Sequence, residues 1–535
     1  MSRESREARM QGNREIGNKG KRTKSKEKEL SMQKQENGFI TIYLALTLSV
    51  LLSLILTVVD GARRSAIAVE ADCAMDLAVY SVFAEYNRAL FERYHLLFID
   101  SSYEKQQGSL SLVEEHLTEY LRMNLSEGNK AIKTADPTKT FLEDAKILQA
   151  SYATDENADV LVSQAACYMK AKYGLSYIEA LQKEYAQAEK FSLFTRDIDG
   201  QRNANQAIID EAERAGRETG ETDEEGNPIT EEFELDNPAD GVNATRPSGV
   251  LLLVTGADTM ISSKTITADS YYSHRGVTNK GAGLAGRSAP TAVDTVLFDA
   301  YIAACCGNYT DVHEGSGLDY QMEYVIAGKE SDEANLKSIV HRLLALREAC
   351  NVTFLFADAS KQAEAASLAA SIATAAGVPY LTEPIKISLL FAWAYAESVY
   401  DVKQLLLGKR VKLIKEAKDW HYSLQGMLGY AQDVAESSAQ QALEDVTQGS
   451  NFGLGNVAAM KDGLNYQDYL MLFLMAQSKT QKSARTIDLM EMDVRLTPHN
   501  SHFRMDDCLD ALSVSAYVGS RYGCSTKVER TFCYQ

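Results

Sequence analysis

The 535-residue sequence is poor in the residues that would mark a nucleic-acid binder or a disulfide scaffold. It has 8 prolines, 8 cysteines and 8 histidines. Eight cysteines over this length are too few for a disulfide-dense fold. Basic residues are outnumbered, 55 against 74 acidic, leaving a net charge of −19. A polyanion needs a basic face, so a nucleic-acid partner is not expected. Nucleophile elbows of the GxSxG type are absent. What is there is ordinary globular composition, 45% hydrophobic and 24% charged, too apolar for general disorder. The length allows roughly two to four domains.

The N-terminus carries the strongest pattern. Residues 1–38 hold eleven Lys/Arg against six Glu, a local charge of +5. No apolar periodicity runs through them, and a disordered basic tail is expected. Residues 39–59 then carry no charge at all. As a helix this run would span about 31 Å, the thickness of a bilayer core. It is too long for a typical signal-peptide apolar region, and Asp60, Gly61, Ala62, Arg63 and Arg64 follow without a small-residue cleavage site. The basic leader favours a cytoplasmic N-terminus and places residues 60–535 outside. The lipid bilayer is therefore an expected partner. From Ala62 to Gln107 there is neither Gly nor Pro. Val69, Cys73, Leu77, Tyr80 and Ala84 recur at helical spacing, which predicts an amphipathic stalk over 60–107 whose apolar stripe packs on this chain's own domain or on a protein partner.

The run Gly38-Phe39-Ile40-Thr41-Ile42-Tyr43, the apolar span, Asp60-Gly61-Ala62-Arg63-Arg64 and the following alanines (Ala66, Ala68, Ala71, Ala74, Ala78) resemble the N-termini of TadE/TadG-like proteins of the bacterial Tad (Flp-type) pilus systems. Downstream segments resemble an uncharacterised family of Gram-positive bacteria. They are Glu323–Lys329 with Ser331–Glu333, Leu346–Ala349, Ala392–Ser398, Leu464–Leu470 and Phe503–Cys508. The resemblance implies a membrane-anchored surface or pilus-associated protein with no assigned activity. It also implies a possible processing site between Gly38 and Phe39. Pilins cut there usually carry Glu at the fifth mature position, where this chain has Tyr43. TadG-like proteins often lack that Glu and act as simple anchors.

Beyond the stalk, residues 108–217 read as helical and 218–246 as an acidic loop, since 218–240 hold ten Asp/Glu and no Lys/Arg. Residues 247–330 read as mixed α/β, with Val250–Thr255 a β-prone run. A helical core is expected over 331–478, with Ser331 or Asp332 as an N-cap and the apolar SLLFAWAYA stretch in a central helix. Residues 479–535 read as β-rich with a terminal hairpin. The fold class is thus α+β, mainly helical, with a small C-terminal sheet.

Chemical motifs are weak. Gly281–Ser288 matches GxGxxG but lacks a preceding strand, Arg287 replaces the phosphate-binding Lys, and Pro290 interrupts the following turn, so a flexible loop is expected. His499 and His502 lie near Asp506, Asp507 and Cys508 but in a polar loop beside Pro498, short of a fixed zinc shell. Adjacent Cys305 and Cys306 read as buried thiols. Cys508, Cys524 and Cys533 cluster near the C-terminus, where two of them could pair outside the membrane. No catalytic residue, metal or cofactor is assigned. The expected function is that of a pilin-like or scaffold component. An anchored envelope hydrolase or a surface receptor is the alternative.

Overall fold

The computed structural model describes residues 4–125, 137–173, 176–223, 226, 228–246, 250–255, 260–277, 279–281, 289–427, 429–430 and 459–534. Two compact units emerge. One comprises residues 1–80, 117–146 and 515–530, and the other residues 81–116, 147–514 and 531–535.

The first unit is built on α1 (Glu4–Phe83), an 80-residue helix. It includes most of the basic leader, which is helical where disorder was expected. The reason lies in its Glu, Lys, Arg, Gln and Met content, all good helix formers despite the missing apolar stripe. The stalk half of α1 buries Ile67, Ala71, Ala74, Met75 and Ala78. Around that face Thr140 donates to Glu70 at 2.6 Å, and Arg530 reaches Asp72 at 3.0 Å and Asp76 at 2.7 Å. The Arg63 guanidinium lies 3.8 Å over the Tyr522 ring. The stalk is shorter than the expected 60–107. It ends at Phe83, and α2 (Arg88–Tyr94) and β1 (Ile99–Asp100) follow.

An antiparallel sheet has strand order β1, β5 (Cys508–Ser520), β2 (Thr140–Tyr152), and β6 (Cys524–Cys533) also pairs with β5. The terminal hairpin and the mainly helical α+β class are as the sequence predicts. β2 was not anticipated in a region read as helical. Its exposed residues are polar except Leu148 and it lies beside β5, so long-range pairing decides its state rather than propensity. β5 is buried almost throughout, which explains its weak alternation.

The second unit is a helical body centred on α13 (Thr382–Leu406). Residues 388–399 of that helix are all buried, as an all-round apolar stretch requires. Packed against it are α6 (Ile198–Ala215), α7 (Pro238–Ala244), α8 (Val250–Thr255), α11 (Asp332–Ala357) and α12 (Ala359–Ala375). Ser331 caps α11 through Ala334 N–H. Elsewhere α4 (Asp155–Tyr173) packs on α9 (Ala292–Cys305). Three expectations are corrected. Val250–Thr255 is helical, because packing on α11 and α13 overrides its β propensity. The acidic segment contains a hairpin, β3 (Arg217–Thr222) with β4 (Pro228–Glu231), turned at Gly226 with φ +87°. Residues 479–495 form a helix rather than part of a β-rich end.

Candidate functional site

Among the described residues, Phe39–Phe83 is long and apolar enough to cross a bilayer, and none of its most apolar window is buried. Gly38 and Phe39 both lie within α1, and Phe39 is 74% exposed. The possible processing bond is thus inside a helical turn.

Of the two partners expected for the stalk's apolar stripe, this chain's own domain does not cover it. The predicted stripe of Val69, Cys73, Leu77, Tyr80 and Ala84 is exposed. Ile67, Ala71, Ala74, Met75 and Ala78 are buried instead. Both stripes have helical spacing, so periodicity alone could not choose between them. The small side chains of Ala71, Ala74 and Ala78 admit close packing, which favours their face.

The cysteines of the terminal region are free thiols. Cys508 is buried at the start of β5, and burial pushes its thiol up. Cys524 and Cys533 sit at opposite ends of β6, about 30 Å apart at strand rise and far beyond disulfide reach. Cys305 and Cys306 are both buried, and burial raises the Cys305 thiol to about 12. His499 and His502 are exposed, whereas Asp506 and Asp507 are buried, so the structure does not gather that set. Gly281 N–H donates to Asp155 at 2.9 Å, and the rest of the Gly-rich run, 282–288, lies outside the described residues.

Sequence reasoning missed a buried polar framework in the second unit. Its main carrier is α15 (Lys479–Arg495), preceded by α14 (Tyr466–Met475). Polar by composition, α15 is nonetheless largely buried, because other segments meet its charges. Lys482 pairs with buried Asp299 of α9, whose carboxyl burial lifts to about 6. Asp488 accepts from Ser273 N–H and from the Tyr324 hydroxyl, both at 2.8 Å. Glu491 pairs with Arg275 and Arg495 and accepts from Met505 N–H. Asp493 accepts from Tyr94 (2.6 Å), Gly317 N–H (2.7 Å) and Gln321 (2.8 Å), and it pairs with Arg93.

A second knot surrounds Arg347, which is fully buried on α11. It contacts Asp401 (2.9 Å), Asn351, the Tyr469 hydroxyl and the carbonyls of Lys412 and Leu413. Lys415 bridges Asp401 and Glu397, and Glu397 also accepts from His421 N–H and Tyr422 N–H. His421 stacks flat on Tyr400. Near Asp507, a Cβ on Gly108 would come within 2.6 Å of the carboxyl carbon, so only glycine fits.

Glu323 on α10 (Gln321–Ala327) is fully buried. Its Oε1 accepts from Tyr309 N–H and the Tyr466 hydroxyl, both at 2.8 Å, while Oε2 has no hydrogen-bond partner among the described residues. Burial pushes its carboxyl up to about 7. A cavity of about 10 Å³ nearby, beside Asn308, Asp311, Gly408 and Tyr466, holds no more than a water.

Most of these carboxylates are held by donors far away in sequence. Such groups tie distant segments into one register. The framework's signal in the sequence lies in the segments around Glu323, Arg347, Glu397, Tyr466 and Asp506, the same ones that carry the resemblance to an uncharacterised family.

A family described as being of unknown function, DUF5702, matches residues 229–520. The match covers more than half of the chain. The protein belongs to this family. No curated protein and no solved structure shows significant similarity to it. The DUF5702 region begins beyond α1 and contains most of the polar framework. Arg93 and Tyr94, which reach Asp493, lie outside it.

Proposed function

We propose that the chain is a single-pass, membrane-anchored structural or assembly protein of the cell surface, TadE/TadG-like at its N-terminus and associated with a Tad-type pilus or related system. The basic leader lies in the cytoplasm, residues 39–59 cross the cell membrane, and the rest is extracytoplasmic. It acts by positioning partners rather than by catalysis. The observation that carries this reading is α1: one helix whose middle run, residues 39–59, is apolar and exposed apart from half-buried Thr47, and whose C-terminal part is buried along one face only. An exposed apolar run needs lipid or a helical partner to cover it. The buried framework agrees with a mechanical role, because its ion pairs and hydrogen bonds hold segments together.

The test is intact mass with N-terminal peptide mapping of protein extracted from native membranes. A chain that resists alkaline carbonate extraction and retains its leader supports a permanent anchor. A chain beginning at Phe39 supports a pilin-like component that enters a filament. Release into the soluble fraction without either form in the membrane would overturn the reading.

A further inference from the structure

The outer face of the stalk carries no charge. Between Ser65 and Cys73 the exposed residues are Ser65, Ala66, Val69 and Cys73, while Glu70 and Asp72 are half-buried at the flanks. Arg64 is exposed but lies about 200° round the helix from Ala62 and pairs with Asp60 at 2.9 Å. The face continues into the span. From Leu44 to Cys73, eight steps of three or four residues average about 3.6, the helical repeat, so the stripe does not drift round the helix.

We propose that in the bilayer this face packs on the same face of a second copy, giving a parallel two-fold dimer. The contact runs from Leu44 through Ile55, Ala62, Ala66 and Val69 to Cys73. The inference rests on the membrane-anchor reading and names its partner. Lipid covers such a face only within the bilayer, whereas another anchored helix running alongside covers all of its about 44 Å, inside the bilayer and beyond it. α1 is such a helix. In a parallel two-fold contact each residue meets its own copy, so a charged face would repel itself, whereas this one is neutral throughout. Ala62 and Ala66, four residues apart, allow the close backbone approach that joins helices at a membrane. At about 10 Å wide the strip covers about 440 Å² per copy, or about 900 Å² in all, below the about 1,200 Å² of a standard soluble interface. Shared anchoring in one orientation supplies the alignment that this area alone would not.

The experiment uses the full chain in native membranes with exposed Cys167 and Cys533 replaced by serine, leaving Cys73 as the exposed thiol. A short bis-maleimide should yield a species of twice the 59.0 kDa chain mass. Cys73→Ser should abolish it. In that serine background, Val69→Cys should restore the dimer, and Arg64→Cys, on the opposite face, should give at least tenfold less. Ala66→Glu should reduce Cys73 cross-linking at least tenfold without lowering the melting temperature, since Ala66 is exposed. Equal yields at positions 64 and 69 would mean random collision and would overturn the proposal. An adduct of another mass without the dimer would also overturn it, naming a different partner. Carbonate extraction of the same membranes separates the two failures. If the chain stays in the membrane but does not dimerise, only this inference falls; if it washes out, the anchor reading falls.

Discussion

Single residues hold this fold through charge pairs removed from water. Arg347 is the clearest case, because Asp401 and two backbone carbonyls depend on it inside α11 and its neighbours. Removing one partner of a buried pair leaves the other charge uncompensated and costs about 3–5 kcal/mol. Arg347→Met should therefore lower stability by about that amount in chemical denaturation of the solubilised chain. A loss below about 1 kcal/mol would show that Lys415 suffices for Asp401. Glu323 gives a pH-dependent counterpart. The folded chain holds this proton up to about pH 7, whereas the unfolded chain releases it near 4.5. Its contribution is thus fully present below about pH 4.5 and is lost as pH rises to about 7, a difference on the order of 3 kcal/mol. Glu323→Gln, which mimics the protonated form, should remove that part of the decline. Denaturation midpoints of both proteins from pH 4.5 to 8 should converge at the acid end and separate at the basic end. Parallel curves would refute the assignment.

At the scale of elements, caps and partners decide what propensity leaves open. α14 starts at a capping box, with Asn465 accepting from Asp468 N–H and Asp468 accepting from Asn465 N–H. Asn465→Ala should cost about 1 kcal/mol, read as a lowered melting temperature. A neutral result would mean that Arg410, which pairs with Asp468, holds the turn alone. α11, α12 and α13 were legible as a helical core over 331–478, because the Ser331 cap and the central apolar stretch agree with their packing. β2 and α8 were not legible, since each takes its state from distant neighbours rather than from its own residues. α15 shows the same limit from the opposite side. Its composition suits a surface helix, yet partners from five or more separate segments make it part of the interior.

At the scale of the whole molecule, the proposed function depends on α1 dividing its length between lipid and protein. A charge near the middle of the span should disrupt that division. Leu51→Arg places a guanidinium at a cost of about 2.5–3.5 kcal/mol in the bilayer centre. The variant should shift substantially from the carbonate-resistant membrane fraction to the soluble one, with its extramembrane stability unchanged. Undiminished membrane retention would show that residues 39–59 are not what holds the chain there. Orientation gives a second test. Cys533 is exposed and lies outside the proposed dimer face, so a membrane-impermeant maleimide added to intact cells should label it if the extramembrane part lies outside. Failure to label Cys533 until the membrane is permeabilised would reverse the proposed orientation.

The sequence by itself determined the uncharged 21-residue run, the basic leader, the helical class of the body and the terminal hairpin. Each of these follows from local composition or from a period read along the chain. The choice of stalk face, the state of β2, the free thiols and the buried polar framework were decided by tertiary structure. The physical reason is shared by all four. Two stripes of one helix can have the same period, and a carboxylate has the same one-letter code whether water or a distant arginine satisfies it. Only the folded chain brings Asp493 to Tyr94, or Asp401 to Arg347, and thereby makes polar residues into core.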